Sequence, residues 1–438
     1  MIRCLFAVTW LAVLAGVSGS VGAAESTLLS KATPEQQALF AKIKTEILRE
    51  AAVQPRPLAD AQEDYFYVYD AEMRPLLRAY SYSHDPVFLE TFVPMMERVL
   101  SQRYLDPIKP EWNGWYAYKG FGHTALVDHD AIMYFTPVLL FVKEVRADPK
   151  LQAKYGAKAE AWLKDVEVSI RNWDKRGCWH DLGHKGGWYT TVPGYPDPKT
   201  GEIVPLGEET VLFTSGTVPY NKVHALFQSL ALAWQVTGDP WYKTRMEKCV
   251  KFFRDHWRVD DKHAEWNYRD LEFPSDFEGG KVGAGKAKTG VFVHPHQGYY
   301  GVDVAAVVCS FDAGVPWAKA DLEKLVQTNT EFMFLGDAKD PKFKMINGWY
   351  KAEGKYEKGT LWTDLAHFSP KIRELWKVEL DRDCAANKWM CWASSLDYLI
   401  ETSYPVSWEP RHARPDGAPA RAAPAKNSPE GERESGKT

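Results

Sequence analysis

The stretch Leu230-Ala231-Leu232-Ala233-Trp234-Gln235-Val236-Thr237-Gly238-Asp239-Pro240-Trp241-Tyr242 decides the fold. It reads as an apolar helix that stops at Gly238, turns within two residues and restarts at once. Asp239 has the side chain of an N-cap, and Pro240 stands in the first turn of the next helix, where its missing N–H costs nothing. The second helix runs on through Trp257.

The same sentence is written elsewhere in the chain. Leu76-Leu77-Arg78-Ala79-Tyr80 leads to Asp85-Pro86-Val87-Phe88 and a helix through Leu100. Leu139-Leu140-Phe141 leads to Asp148-Pro149 and a helix through Trp173. Val307-Val308 leads to Gly314-Val315-Pro316-Trp317 and a helix through Phe334. Apolar residues recur at three- and four-residue spacing on both sides of each turn. The units recur about every 60 to 90 residues, wider than the 20 to 50 of a regular solenoid. The expected fold is therefore all-α: an (α/α) toroid or barrel of about six to seven helical hairpins, with inner helices lining a cavity. An open helical superhelix is the alternative. Gly186–Val192 and Thr289–Val293 are the candidates for short β-hairpins on the rim.

The ends differ from this body. Arg3 followed by the apolar run Leu5–Val17 and the small residues Val21-Gly22-Ala23-Ala24 has the form of a signal peptide, expected over residues 1–24. The apolar run is too short for a spanning helix, although an uncleaved anchor is the competing reading. From residue 409 to 438, Arg, Ala, Pro, Gly, Ser, Glu and Lys replace the large apolar residues, and that segment reads as a disordered tail. The body is then one toroid over residues 25–408, exported to the periplasm or the medium. A net charge of −4 advertises neither nucleic acid nor an anionic membrane as partner, and a monomer is expected. Beyond the signal, Cys178, Cys249, Cys309, Cys384 and Cys391 remain; Cys384 and Cys391 are close enough to pair, and Cys249 and Cys309 read as buried thiols.

Chemistry gathers where helices begin. Val218-Pro219-Tyr220-Asn221-Lys222-Val223-His224 opens an inner helix, with Asn221 and His224 one turn apart on a common face. His294-Pro295-His296-Gln297-Gly298-Tyr299-Tyr300 opens the next, placing His296, Tyr299 and Tyr300 together. His123 and His129 flank a third entry, and Arg269 has the guanidinium to take a carboxylate. Gly-Trp-Tyr occurs three times, at Trp115, Trp188 and Trp349; loop aromatics stack on sugar rings or plug the wall. Cys178, His180 and His184 lack the framing of a zinc site, so neither a metal nor another cofactor is expected.

Together, the Pro-Tyr-Asn-Lys-Val-His and His-Pro-His-Gln-Gly-Tyr-Tyr helix starts, the Gly-Asp-Pro-Trp-Tyr turn and the export signal resemble α/α-toroid polysaccharide lyases, most of all those that cleave alginate or glucuronan. The Asn-Asn-His-Ser string of some alginate lyases is missing; its nearest counterpart is Asn221-Lys222-Val223-His224. The resemblance implies β-elimination on an acidic, uronate-containing polysaccharide. Asn221, His224 and Arg269 would neutralise the uronate carboxylate. Tyr299 or Tyr300, beside His296, would act as acid and base, with Lys222 or Arg269 stabilising the phenolate. His123, His129, Trp115, Trp188 and Trp349 would bind substrate. The rival on the same fold is a glycoside hydrolase with paired carboxylates drawn from Asp128, Asp130, Glu208, Glu209 and Asp303. A sugar epimerase using His224 and His296 and a non-catalytic carbohydrate-binding protein complete the alternatives.

Overall fold

The computed structural model describes residues 27–52, 64–114, 127–197, 199–205, 216–282, 284–288, 298–346, 358–386, 388 and 391–411. The expected signal peptide, the segment after residue 411 and the rim strand at 289–293 lie outside them.

The protein is an all-α toroid. Its helices are α1 (Pro34–Ala51), α2 (Asp64–Ser83), α3 (Val87–Ser101), α4 (Val127–Asp130), α5 (Thr136–Ala147) and α6 (Pro149–Lys175). They continue with α7 (Tyr220–Thr237), α8 (Pro240–Asp255), α9 (Gly298–Asp312), α10 (Lys319–Gln327), α11 (Pro370–Ala385) and α12 (Cys391–Thr402). A π turn, Ala131–Phe135, welds α4 to α5. The inner wall runs α2, α5, α7, α9 and then the short 3-10 turn Thr363–His367; α11 and α12 follow, and α12 packs back on α2 to close the ring. On the outside α3 lies on α2, α6 on α5 and α8 on α7, while α1 covers α2 and α12. Two-stranded ribbons decorate this ring: β1 (Trp179–Asp181) with β2 (Gly187–Tyr189), β3 (Gly194–Pro196) with β4 (Ile203–Pro205), β5 (Arg258–Val259) with β6 (Ala264–Glu265), and β7 (Phe343–Lys344) with β8 (Lys358–Gly359).

Burial separates the two rings. Inner α7 buries residues on every face, including the polar Asn221, Lys222 and His224. Outer α6 and α8 bury one stripe and leave the rest to solvent. This is the pattern of helices with neighbours all round against helices with neighbours on one side.

The Asp-Pro turns work as their sequence demands. Asp85 Oδ1 accepts from Val87 N (3.1 Å), Asp148 Oδ1 from Lys150 N (2.7 Å) and Asp239 Oδ1 from Trp241 N (2.9 Å). At two of them the resemblance extends further. Ser83 and Thr237 bond back to the carbonyls of Ala79 and Ala233, and then accept from Asp85 N and Asp239 N. Between them His84 and Gly238 take the left-handed conformation, φ 56° and 70°, which ends a helix at little cost when the residue is Gly and at some cost when it is His.

Connections alternate in length, and chain direction sorts them. Each short turn follows an inner element; each long connection, 102–126, 176–219, 256–297 and 334–362, returns from an outer helix to the start of an inner one. The ends of these long connections therefore lie at one mouth of the ring, around the inner-helix N-termini.

All five described cysteines are free thiols, Cys384 and Cys391 included. Cys384 donates instead toward the carbonyl of Cys391 and contacts the Ser395 hydroxyl. Burial pushes the thiols of Cys178 and Cys249 up to about 12. The packed chain extends to Arg411, whose guanidinium grips both oxygens of Glu401 (2.6 and 2.5 Å).

Candidate active site at the long-loop mouth

Thr217 and its neighbours build the entry to α7. Gly216 has φ +106°, and a Cβ there would overlap the Asp276 carboxylate; only glycine lets the chain pass so close. Asp276 accepts from Thr217 N, from the Thr217 hydroxyl and from the N–H groups of Glu272 and Phe273. Tyr220 N then donates to the Tyr268 carbonyl (3.0 Å), laying the start of α7 beside residues 266–270. The Tyr220 hydroxyl donates to Asp270 Oδ2 (2.6 Å), and Asn267 Nδ2 donates to Asp270 Oδ1 (2.7 Å). Asp270 is half-buried at this mouth.

One turn deeper, His224 Nδ1 bonds Asp303 Oδ1 at 2.6 Å, and both side chains are wholly buried. Trp266 Nε1 donates to the other oxygen of Asp303 (2.7 Å), and the Tyr300 hydroxyl donates to the Trp266 carbonyl (3.0 Å). Phe227, Phe253, Trp188 and Tyr220 ring the imidazole, with centroids 4.4 to 6.0 Å away. The unit ties α7, α9 and the 264–268 segment into one buried polar knot, where a missing partner would be costly.

The structure thus draws together most of the sequence's candidates and changes what several can do. Tyr300 is sealed from solvent, and its hydroxyl is held well above the ordinary phenol range, first by burial and then by the carboxylates of Asp303 and Glu265. That is the opposite of what a tyrosine base requires. His224 is enclosed by aromatic rings with its Nδ1 bound to Asp303, so it is a packed residue, not a ligand to a sugar carboxylate. Trp188 has no exposed face, and its Nε1 donates to the Val218 carbonyl; it belongs to the wall and offers no sugar platform. Asn221, Lys222, His129 and Arg269 are buried at the mouth, and half-buried Tyr299 stacks on Tyr268 at 6.0 Å. His123, His296, Trp115, Trp349, Glu208, Glu209 and the Asp128 side chain lie outside the described residues.

At the neighbouring entry, Asp130 closes α4 immediately before the π turn, a helix distortion that recurs at functional sites. Its Oδ2 accepts from Trp173 Nε1 (3.1 Å), and Arg176 lies 3.9 Å away between the rings of Trp112 and Trp173. Burial holds the Asp130 carboxyl above its ordinary range, with Arg176 and Arg103 opposing.

Two carboxylates escaped the sequence reading. Asp270 directly follows Trp266-Asn267-Tyr268-Arg269, and it is the bonds from Tyr220 and Asn267 that mark it out. Asp364, on the 3-10 turn, is open to solvent yet enclosed enough that burial, with Asp397 adding and Arg74 opposing, pushes it up to about 6. No group of three metal-ligating side chains converges among the described residues; His180 Nε2 instead bonds Thr190 Oγ1 at 2.9 Å.

No protein-family model and no curated protein matches the chain. Among solved structures it is similar to the GH76A α-1,6-mannanase of Salegentibacter sp. HEL1_6. An inactive variant with α-1,6-mannotriose has TM-score 0.44 and 10% identity, covering 83% of this chain and 100% of that one. A second inactive variant, with α-1,6-mannotetrose, has TM-score 0.41 and 11% identity, covering 76% and 88%. The unaltered mannanase has TM-score 0.39 and 12% identity, covering 77% and 88%. The resemblance to alginate and glucuronan lyases is corrected at the site itself, where the burial of Tyr300 and His224 removes two groups on which β-elimination depended; the solved structures to which the chain is similar are α-1,6-mannanases, not lyases.

Proposed function

We propose that the protein is an exported glycoside hydrolase that cleaves a polysaccharide at the long-loop mouth. The observation that carries this reading is Asp270, a half-buried carboxylate at that mouth held by two neutral donors, Tyr220 and Asn267. Asp130 is taken up by Trp173 and Arg176, and α4, which carries position 128, packs against α7.

Hydrolysis needs two carboxyl groups. One protonates the leaving glycosidic oxygen as the C–O bond breaks; the other activates the incoming water or attacks the anomeric carbon. Asp128 and Asp270 are assigned these tasks. Asp303 is set aside, because His224 and Trp266 occupy both its oxygens. Asp130 positions the turn. Release from the cell accords with the N-terminal signal sequence and with a polymeric substrate; no helix among the described residues is long and apolar enough to cross a membrane.

The test is a reducing-end assay of the purified mature protein on neutral and acidic polysaccharides, an α-1,6-linked mannan among them. New reducing ends in proportion to protein, absent in Asp128→Asn, support the reading. Failure to release reducing ends from any polymer overturns it.

A further inference from the structure

Arg269 is an unusual cation for its position. It is 6% exposed, and its Nε has no hydrogen-bond partner. Its hydrogen bond from Nη1 to the Thr217 carbonyl is stretched to 3.5 Å, at the limit of what counts. No carboxylate of the described residues stands within ion-pair distance of it. Asp276 acts on it through space, but the oxygens of Asp276 are already filled by Thr217 and the N–H groups of Glu272 and Phe273. Of the two other buried guanidiniums among the described residues, Arg245 is clasped by both oxygens of Asp174 (2.8 and 2.6 Å), and Arg176 donates to the carbonyls of Glu111 and Asn113 with Asp130 3.9 Å away. A buried charge without its own counter-ion is costly, and proteins keep one where a ligand completes it.

A second orphan lies alongside. The Tyr220 N to Tyr268 O bond sets the start of α7 against the segment carrying Arg269. Asn221 is the next residue on α7, 5% exposed, and its Oδ1 has no partner. Tyr268 and half-buried Tyr299 form a stacked pair at the same place, with the Arg269 guanidinium 5.8 Å from the Tyr268 ring. A cation lacking an anion, an amide oxygen lacking a donor and an aromatic pair match one kind of ligand: a sugar residue bearing an acidic group.

We propose that Arg269 and Asn221 form a subsite for an anionic sugar, with Arg269 taking its carboxylate or sulfate ester and Asn221 Oδ1 accepting one of its hydroxyls. This rests on the hydrolase reading and narrows its substrate to an acidic polysaccharide. Arg269 supplies the planar donor fork that such groups fit.

The experiment is calorimetric titration of the mature protein with glucuronate oligosaccharides, with their carboxyl-reduced counterparts and with a sulfated glucan oligosaccharide. One anionic ligand is expected to bind at least about 10-fold more tightly than the neutral one, and which one it is names the acidic group. Arg269→Gln should erase that preference, while Arg269→Lys keeps part of it. Equal binding of anionic and reduced ligands, or an unchanged preference in Arg269→Gln, overturns the subsite, as does binding to none of the three. If Arg269→Gln does not fold, competition on the wild-type protein decides: glucuronate or inorganic sulfate should displace the bound oligosaccharide and glucose should not, and the reverse overturns the proposal. Binding is read without turnover. Anion-dependent binding with no reducing ends would sink the hydrolase reading and leave the subsite standing.

Discussion

The two mouths of the ring are built by opposite means. At the short-turn mouth, an inner helix passes to an outer one in one to a few residues, and the bonds that shape the turn are local. Asp239 caps a helix two residues on, and Thr237 bonds four residues back. At the long-loop mouth the bonds reach far along the chain: 59 positions from Thr217 to Asp276, 79 from His224 to Asp303, 43 from Asp130 to Trp173. The turns of the first mouth are shaped by their own sequence, with long-range pairs such as Arg171 to Asp239, 68 positions apart, added on top. The second exists only when the ring has closed, and there the orphaned polar atoms of Arg269 and Asn221 are found.

The comparison breaks most visibly if chemistry is not confined to the second mouth. Asp128→Asn and Asp270→Asn are each expected to lower hydrolysis about 10²- to 10⁴-fold, the span of a general acid or base, with the thermal transition little changed. A reducing-end assay with a melting curve checks this, and a variant at the short-turn mouth with an equal loss would break the division.

Next in size is the buried knot. Asp303→Ala strands His224 and the Trp266 indole at once, and should cost on the order of 3–5 kcal/mol. Urea unfolding followed by tryptophan fluorescence measures it. A loss below about 1 kcal/mol would mean that water replaces the carboxylate and that the knot is not what ties α7 to α9.

The short-turn mouth carries its own pH signature. His367 is buried beneath the C-terminal segment, with Ser407 N donating to its carbonyl, and burial, with Arg411 adding, lowers its imidazole to about 4. The unfolded chain takes up that proton near 6.5, so between about pH 4 and 6.5 the unfolded state binds more protons than the folded one. This group's contribution therefore makes stability rise with pH across that window, by on the order of 2–3 kcal/mol. Asp312, pushed up to about 6 by burial, works in the opposite direction from about pH 4 to 6. Melting temperatures from pH 4 to 7 should show the His367 rise steepening in Asp312→Asn and vanishing in His367→Gln. An unaltered profile in His367→Gln would show that this histidine is already charged in the folded protein.

The smallest effect sharpens the local half of the comparison. Asp239→Ala removes one cap, at about 1 kcal/mol, and the 2.5 Å ion pair with Arg171, which adds about 0.5 kcal/mol. Hydrolysis should be untouched. A change in kcat there would show that the short-turn mouth communicates with the site.

Sequence by itself determined the repeated unit. Ser83-His84-Asp85-Pro86 and Thr237-Gly238-Asp239-Pro240 end one helix and start another through bonds spanning two to four residues, and such bonds are legible wherever the residues are written. Apolar periodicity supplied the helices, and unequal connection lengths supplied a loop-rich rim. Tertiary structure decided what each polar residue can do. Asn221 and His224 share a helix face, yet closing the ring leaves the Asn221 oxygen without a partner and ties His224 to Asp303. Tyr299 and Tyr300 are neighbours, yet one is half-open and the other sealed. Asp270 sits unremarked beside Arg269, because one of its two donors, Tyr220, lies 50 positions away on another helix. Burial and long-range pairing depend on which helices meet, and a helix start carries no local mark of what will be packed against it.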